Sequence, residues 1–315
     1  MKCKNCSEEL NAGAKFCPGC DTKAEAGTKP SGKPAPGNGG VQQDKAGKLA
    51  QLADEQFENK QYGDAVKTLS KAIELDPNNA EYYAFRGLAY QILNDYNNAL
   101  KDYSKAIQLE PKNAKYYEAR GDTYRDMEDY NKALTDYSKA IQLEPKNAKY
   151  YKARGNIYNI DLDDYDKALA DFSKAIELDL GNAEYYNARA TAHRDKSNNS
   201  IIRDFRKAFA DHEKAIELAP EEAFYYYHRG HTYRLKGDNH KALADFSKAI
   251  ELNPDHAVFY SSRGEIYKKL KDYPNALADF ERAYELDPSD DELLELIDEA
   301  KSGGKSGLGK LFGKK

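Results

Sequence analysis

From Ala46 onward the apolar and polar positions of the chain recur every 34 residues. Two consecutive periods show it: AEYYAFRGLAYQILNDYNNALKDYSKAIQLEPKN at 80–113 and AKYYEARGDTYRDMEDYNKALTDYSKAIQLEPKN at 114–147. Inside a period the apolar residues fall at helical spacing on two stretches. Tyr83, Gly87 and Tyr90 share one face of the first, and Ala99, Tyr103 and Ala106 share one face of the second. A polar break, Asn94-Asp95, separates them, and Pro111 stops the second helix. Each period is therefore predicted to be a helical hairpin. Gly87, Ala99 and Ala106 let the two axes approach, and the tyrosines fill the space beside them. One hairpin leaves apolar surface exposed, so stability requires neighbours to stack.

The periods are placed at 46–79, 80–113, 114–147, 148–182, 183–222, 223–256 and 257–290, the fourth carrying one extra residue and the fifth six. Residues 291–301, with Leu293, Leu294 and Ile297 on one side, are expected to form a capping helix. Six periods carry an arginine in the first stretch: Arg86, Arg120, Arg154, Arg189, Arg229 and Arg263. The same six carry an aspartate in the second: Asp102, Asp136, Asp171, Asp211, Asp245 and Asp279. The first period has neither, holding Leu52 and Thr68 instead. Joint presence and joint absence predict that each arginine pairs with the aspartate of its own period.

The period and the W-x2-L-G-x2-Y…A-x3-F…P pattern resemble the tetratricopeptide-repeat family over about 245 residues. That resemblance implies an all-α, right-handed superhelical solenoid of seven hairpins plus the cap. It also implies a groove, lined by the second, fifth, ninth, twelfth and thirteenth positions of each first helix, that receives partner peptides. One variant of the family grips a terminal carboxylate. Lys152 and Asn156 match the first part of that clamp, but Ala188, Phe224 and His228 replace the rest, which argues against it here.

At the groove positions, the first three repeats contribute Asp54, Glu58, Glu81, Glu118, Asp122 and Asp126 against Lys115 and Arg125. The last four contribute Lys149, Lys152, Arg194, Arg234, Lys268 and Lys269 against Glu184, Asp195 and Glu265. The groove is thus expected to run from acidic to basic. With Asn156, Phe224, Tyr227 and His231 added to the basic half, an acidic peptide carrying an apolar residue is expected to dock across repeats five to seven.

The first twenty residues hold all four cysteines, as Cys3-Lys-Asn-Cys6 and Cys17-Pro-Gly-Cys20. Two C-x2-C knuckles set four thiolates at the corners of a tetrahedron, the usual way of holding one structural zinc ion. Iron in a rubredoxin-like site and disulfide or redox chemistry are the alternatives. A segment this short cannot bury enough surface to fold alone, so zinc binding and folding should be one event. Lys15-Phe16-Cys17-Pro18-Gly19-Cys20 resembles the zinc ribbon at the front of many prokaryotic proteins, with Ser7 and Asp21 departing from its usual glycines. The ribbon is assigned to 1–25. A Gly-, Pro- and Lys-rich stretch, 26–45, is expected to be a flexible linker.

The net charge of −5 is uneven: +2 over residues 1–40, +5 over the last fifteen, and hence −12 over the body. An acidic body argues against non-specific nucleic-acid binding, which needs a basic footprint. The 302–315 stretch reads as a disordered basic tail. Its lysines, with Leu308, Leu311 and Phe312, suit a weak contact with an acidic lipid or protein surface. Gly304–Lys310 fits G-x4-G-K, but Leu311 stands where a phosphate loop needs Ser or Thr. No segment offers the roughly 18 consecutive apolar residues of a membrane helix. Met1-Lys2-Cys3-Lys4 lacks a secretory signal's apolar stretch, so a cytoplasmic location is the default.

The six histidines all lie in repeats five to seven. His228 and His231, one turn apart, could supply half a metal site. His193 and His212 replace a Tyr and a Phe and are expected to face each other. No nucleophile stands with a base. The sequence thus points to a non-catalytic scaffold that binds proteins through its groove, with the ribbon as a second docking point. The alternative is a zinc-ribbon protein associated with nucleic acid, whose solenoid recruits partners.

Overall fold

The computed structural model describes residues 38–200 and 203–303, with side chains from Gln42 onward. The four cysteines, most of the linker and the basic tail lie outside the described residues. Fifteen α-helices follow one another among the described residues. Seven hairpins account for fourteen of them: α1 (Asn38–Glu58) with α2 (Tyr62–Leu75), α3 (Ala80–Ile92) with α4 (Tyr96–Leu109), and α5 (Ala114–Asp126) with α6 (Tyr130–Leu143). The series continues with α7 (Ala148–Asn156) and α8 (Tyr165–Leu178), α9 (Ala183–Asn198) and α10 (Arg206–Leu218), α11 (Ala223–Lys236) and α12 (Asn239–Leu252), and α13 (Ala257–Lys269) and α14 (Tyr273–Leu286). The last helix, α15 (Asp291–Lys301), lies on α14 through Leu293, Ile297 and Ala300.

Local sequence sets each helix end. Asn79, Asn113, Asn147 and Asn182 cap the first helices by accepting the backbone N–H two residues on. Asp95, Asp129, Asp164, Asp238 and Asp272 cap second helices by accepting the N–H three residues on. Between the two helices, one residue takes a left-handed conformation. It is Lys60, Asn94, Glu128, Asp163 or Lys271 in five repeats and Gly237 in the sixth. The first helix begins at Asn38 rather than at the start of the repeat pattern. It thereby takes up residues that composition assigned to the linker. Its extension is exposed at Gln42, Gln43, Asp44 and Lys45, and Ala46 is the first buried position.

The core is a narrow seam. Ala65, Ala72, Ala99, Ala106, Ala133, Ala140 and their equivalents in later second helices are completely buried. Small residues keep the helices close, and one large side chain per second helix fills the space against the first. The residues facing each other across this contact vary together. Where the large residue is a six-membered ring, its neighbour is glycine: Gly87 with Tyr103, Gly121 with Tyr137, Gly155 with Phe172, Gly230 with Phe246 and Gly264 with Phe280. A Cβ on Gly155 would lie 2.7 Å from the Phe172 ring. In the first repeat the equivalent residues are Ala53 and Leu69, and in the fifth they are Ala190 and His212, all buried. A smaller filler admits the methyl group.

All six arginine–aspartate pairs form, each within its own repeat. Arg86 donates from Nε to Asp102 Oδ2 at 2.7 Å and from Nη2 to Oδ1 at 2.8 Å. The same fork joins Arg120 to Asp136, Arg154 to Asp171, Arg189 to Asp211, Arg229 to Asp245 and Arg263 to Asp279. The sequence did not reveal a third bond. Arg86 Nη1 also donates to Ser70 Oγ of the preceding repeat at 2.9 Å, and Arg120, Arg154, Arg189 and Arg263 reach Ser104, Ser138, Ser173 and Ser247 in the same way. Each of these five guanidiniums therefore ties two repeats together. Tyrosines one turn away flank it, as Tyr83 and Tyr90 flank Arg86 at 5.9 Å.

The two irregular repeats keep this frame. The extra residue of repeat four is absorbed by a π-helical turn, Ile157–Asp161, at the end of the first helix. The six extra residues of repeat five lengthen α9 and the segment before α10, and Arg189 still reaches Asp211. His193 and His212 do not meet. His193 shares a shallow cavity with Arg189, Lys207 and Asp211, whereas His212 is fully buried with its Nε2 3.1 Å from Thr232 Oγ1. The Thr232 hydroxyl donates its one proton to the His228 carbonyl. It can therefore only accept from His212, which fixes the neutral Nε2–H tautomer.

Candidate partner-docking groove

First helices of successive repeats touch one another, α3 with α5, α7 with α9 and α9 with α11. Second helices of adjacent repeats do not approach as closely. The first-helix layer is therefore the inner, concave one, and its outward positions line the groove.

The basic half of this groove is neutralised from within. Lys152 pairs with Glu184 of the next first helix. Arg234 reaches Glu265 at 2.8 Å, and Lys268 reaches Glu299 at 2.9 Å, each across to the following inner helix. Arg194 pairs with its neighbour Asp195 at 2.8 Å. Asp195 also accepts from Asn159 Nδ2 at 3.3 Å. Lys149 and Lys269 stay exposed, and Asn156 is half-buried beside the π-helical turn. The expectation of a positively charged trough across repeats four to seven is thus corrected: a carboxylate on the same or the next helix answers most of its cations.

The aromatic anchors predicted for repeat six are packing groups. Phe224 is half-buried, its ring centroid 5.1 Å from Phe259 and 5.0 Å from His256. Tyr227 lies 4.5 Å from His231, 5.2 Å from Phe259 and 5.9 Å from Phe246. This cluster joins α11 to α12 and α13. Burial, reinforced by Arg194, pushes the His228 imidazole down to about 4. Burial with Arg234 pushes His231 down to about 3. Both rings are neutral at physiological pH. Among the described residues no group of three or more His, Cys, Asp or Glu side chains is placed to hold a metal ion. The half-site of His228 and His231 finds no further ligands there.

The other half of the groove is different. On α5, Glu118, Asp122 and Asp126 line one face. Burial, then the charge of Asp122, pushes Glu118 up to about 7. Burial also raises Asp122, although the Tyr137 hydroxyl donates to its Oδ1 at 2.5 Å. Asp126 accepts from Gln91 Nε2 of α3 at 2.8 Å, and Gln91 in turn accepts from the Tyr103 hydroxyl at 3.2 Å. The cation at hand is Arg125, 3.6 Å from Asp122 and 3.2 Å from Asp126. On α3, at the positions equivalent to Asp122 and Asp126, stand Leu88 and Ile92, each 42% exposed. A charge tally of groove positions overlooked these two, although the period placed them there.

Comparison with known proteins agrees with this architecture. Family profiles described as TPR repeat match residues 53–94 and 121–159, and profiles described as tetratricopeptide repeat match 80–113, 148–182, 223–256 and 257–290. Together they span more than half of the chain. A tetratricopeptide repeat protein from Parabacteroides merdae is similar with a TM-score of 0.67 at 22% identity, covering 82% of this chain and 99% of its own. The Cut9–Hcn1 hetero-tetramer of the APC/C matches with a TM-score of 0.58 at 16% identity, over 84% of this chain and 57% of that one. The C-terminal part of a TPR repeat-containing protein from Cytophaga hutchinsonii gives 0.57 at 20% identity, over 78% and 98%. At these identities the likeness is one of fold. No curated protein matches the chain.

Proposed function

The chain belongs to the tetratricopeptide-repeat family, and we propose that it is a non-catalytic scaffold whose inner groove receives an extended segment of a protein partner. The observation that carries this reading is the pairing of exposed Leu88 and Ile92 with Glu118, Asp122 and Asp126 on the concave face. Exposed aliphatic side chains beside under-compensated carboxylates give a segment both apolar area and charge to engage. In this reading first docking is at repeats two and three rather than five to seven, where most cations are already engaged. In the same reading, Cys3, Cys6, Cys17 and Cys20 hold a structural zinc ion and the ribbon is an auxiliary docking module.

The test compares protein capture by the native chain with capture by a Leu88→Lys, Ile92→Lys variant. Both positions are exposed, so the variant should melt with the native chain. Partners should be retained by the native chain and lost by the variant. Equal capture by a folded variant would move the site off this face. Capture of nucleic acid instead, lost when the four cysteines are replaced by serine, would favour a nucleic-acid role for the ribbon.

A further inference from the structure

Two features remain unexplained by a generic docking groove: its charge asymmetry, and a C-terminal tail of opposite sign. Residues 301–315, KSGGKSGLGKLFGKK, carry five lysines and no acid, with Leu308, Leu311 and Phe312 set among them. The groove at α3 and α5 presents the converse, two aliphatic side chains beside three carboxylates. We propose that this patch receives the basic C-terminal tail of a neighbouring copy of the same chain, so that the protein assembles tail to groove. The inference rests on the groove being a docking surface, and it names one occupant.

Complementarity runs position by position. Leu88 and Asp122 occupy equivalent places on adjacent inner helices, as do Ile92 and Asp126, so an apolar row lies directly beside an acidic one. Lys310 precedes the adjacent Leu311 and Phe312, and Lys314 and Lys315 follow them, so the segment can set apolar side chains against the first row and ammonium groups against the second. Arg125 answers only Asp122 and Asp126, and Glu118 lacks a cation within ion-pair distance among the described residues. An arriving lysine would supply one. In repeats four to seven most inner-layer charges are already matched, Lys152 with Glu184, Arg234 with Glu265 and Lys268 with Glu299.

Reach decides between the chain's own tail and another's. Leu311 and Phe312 lie eight and nine residues beyond Gly303, which at full extension is about 30 Å. From α15 back to α5 there are five steps between inner helices, each about 9 Å between axes. The chain's own Leu311 and Phe312 therefore fall short of α5, about 45 Å away, and the tail of a second molecule has no such limit. The contact is heterologous, tail of one copy to groove of the next, so it propagates into open chains unless a ring closes.

A zero-length carbodiimide crosslink tests this with the full chain. Native protein is mixed with an isotope-labelled copy, coupled at low salt, digested, and mapped by mass spectrometry. Amide bonds should join Lys310, Lys314 or Lys315 of one copy to Glu118, Asp122 or Asp126 of the other. Their yield should fall by at least about tenfold in a Leu311→Asp, Phe312→Asp variant, which keeps every coupling lysine but removes the apolar contact and sets like charge against the acidic row. Sedimentation velocity should show a mass that rises with concentration for the native chain and stays monomeric for that variant. Crosslinks confined to one copy, links to carboxylates outside α5, or identical sedimentation of the two proteins would each overturn the proposal. If no crosslink joins the tail to α5 while the Leu88→Lys, Ile92→Lys variant loses its partners in the pull-down above, the tail assignment fails while the groove stands. If the Leu88→Lys, Ile92→Lys variant keeps its partners, the docking reading itself fails.

Discussion

Transplanting the first repeat's version of the arginine–aspartate ladder into the third tests whether the pair carries energy or only geometry. The perturbation is Arg120→Leu with Asp136→Thr, which reproduces Leu52 and Thr68. In the native protein Asp136 is 3% exposed and accepts two bonds from Arg120, both at 2.8 Å. Removing either partner alone leaves a charge inside the repeat, and that costs about 3 kcal/mol. Removing both leaves no charge behind. The double variant should cost no more than either single one, because an apolar filling is near-neutral relative to a buried pair while the Ser104 bond and the Tyr117 contact are lost. The coupling energy should therefore be at least about 3 kcal/mol. Urea denaturation gives the four stabilities. Hydrogen exchange of α5 and α6 amides gives the local figure if the solenoid unfolds in stages. A coupling below about 0.5 kcal/mol would show that the fork is held by its surroundings and stabilises nothing itself.

Three further outcomes follow from the geometry. His212, His228 and His231 have folded values below their ordinary 6.5, so the unfolded chain binds protons first. Their contribution is full above pH 6.5 and is lost as pH falls towards 4, about 2 kcal/mol for each of His228 and His231 between pH 7 and 5. Glu118 runs the other way: raised from 4.5 to about 7, it is protonated first in the folded state and adds about 2 kcal/mol over the same interval. Intrinsic-rate-corrected hydrogen exchange should therefore show α11 losing and α5 gaining protection on acidification, and parallel behaviour of the two helices would refute both assignments. Gly155→Ala should cost about 1–3 kcal/mol through overpacking against Phe172, with a Gly155→Ala, Phe172→His variant recovering part of it as Ala190 and His212 do. Purified chain should carry about one zinc, and chelation should leave the solenoid melt unchanged, since all four cysteines precede the linker. A solenoid melting temperature that drops with chelator would contradict that independence.

The fold was legible because its determinants are periodic and local. A 34-residue period, two apolar stripes and a proline stop fix a hairpin, and stacking follows from the surface that each leaves bare. The ladder was legible for a related reason: Arg and Asp appear and vanish together, and only one pairing register explains the first repeat. What stayed hidden depends on rotamers and on distances across repeats. Nothing local says that Arg234 will reach forward to Glu265 while Arg194 turns to its own neighbour Asp195. The serine leg was present in the sequence two residues after Thr68, Asp102, Asp136, Asp171 and Asp245, but its partner is an arginine 16 residues downstream, in the next repeat. The extra residue of repeat four was countable, yet its place in a π-helical turn depends on where the helix can bulge without breaking the Arg154–Asp171 fork.

Repeat five shows what the regular repeats have in common by breaking several rules at once. Glu213 stands where the other links have serine, so Arg229 keeps its fork to Asp245 but makes no serine bond backwards. Ala190 replaces glycine and His212 replaces the six-membered ring. The bond that joins this repeat's filler to the next helix is a neutral imidazole donating to Thr232, in a site where protonation would leave a buried cation. The junction between repeats five and six is thus held by a titratable group where the others are held by a guanidinium that never loses its charge. The cluster of Phe224, Tyr227, Phe259 and His231 immediately follows on the inner face. Its rings lock α11 to α13 just beyond the weakened link, which accounts for aromatic side chains at groove positions that face no partner. Binding capacity and structural reinforcement therefore divide the groove between them: reinforcement at repeats five to seven, where charges and rings are satisfied internally, and docking at repeats two and three, where they are not.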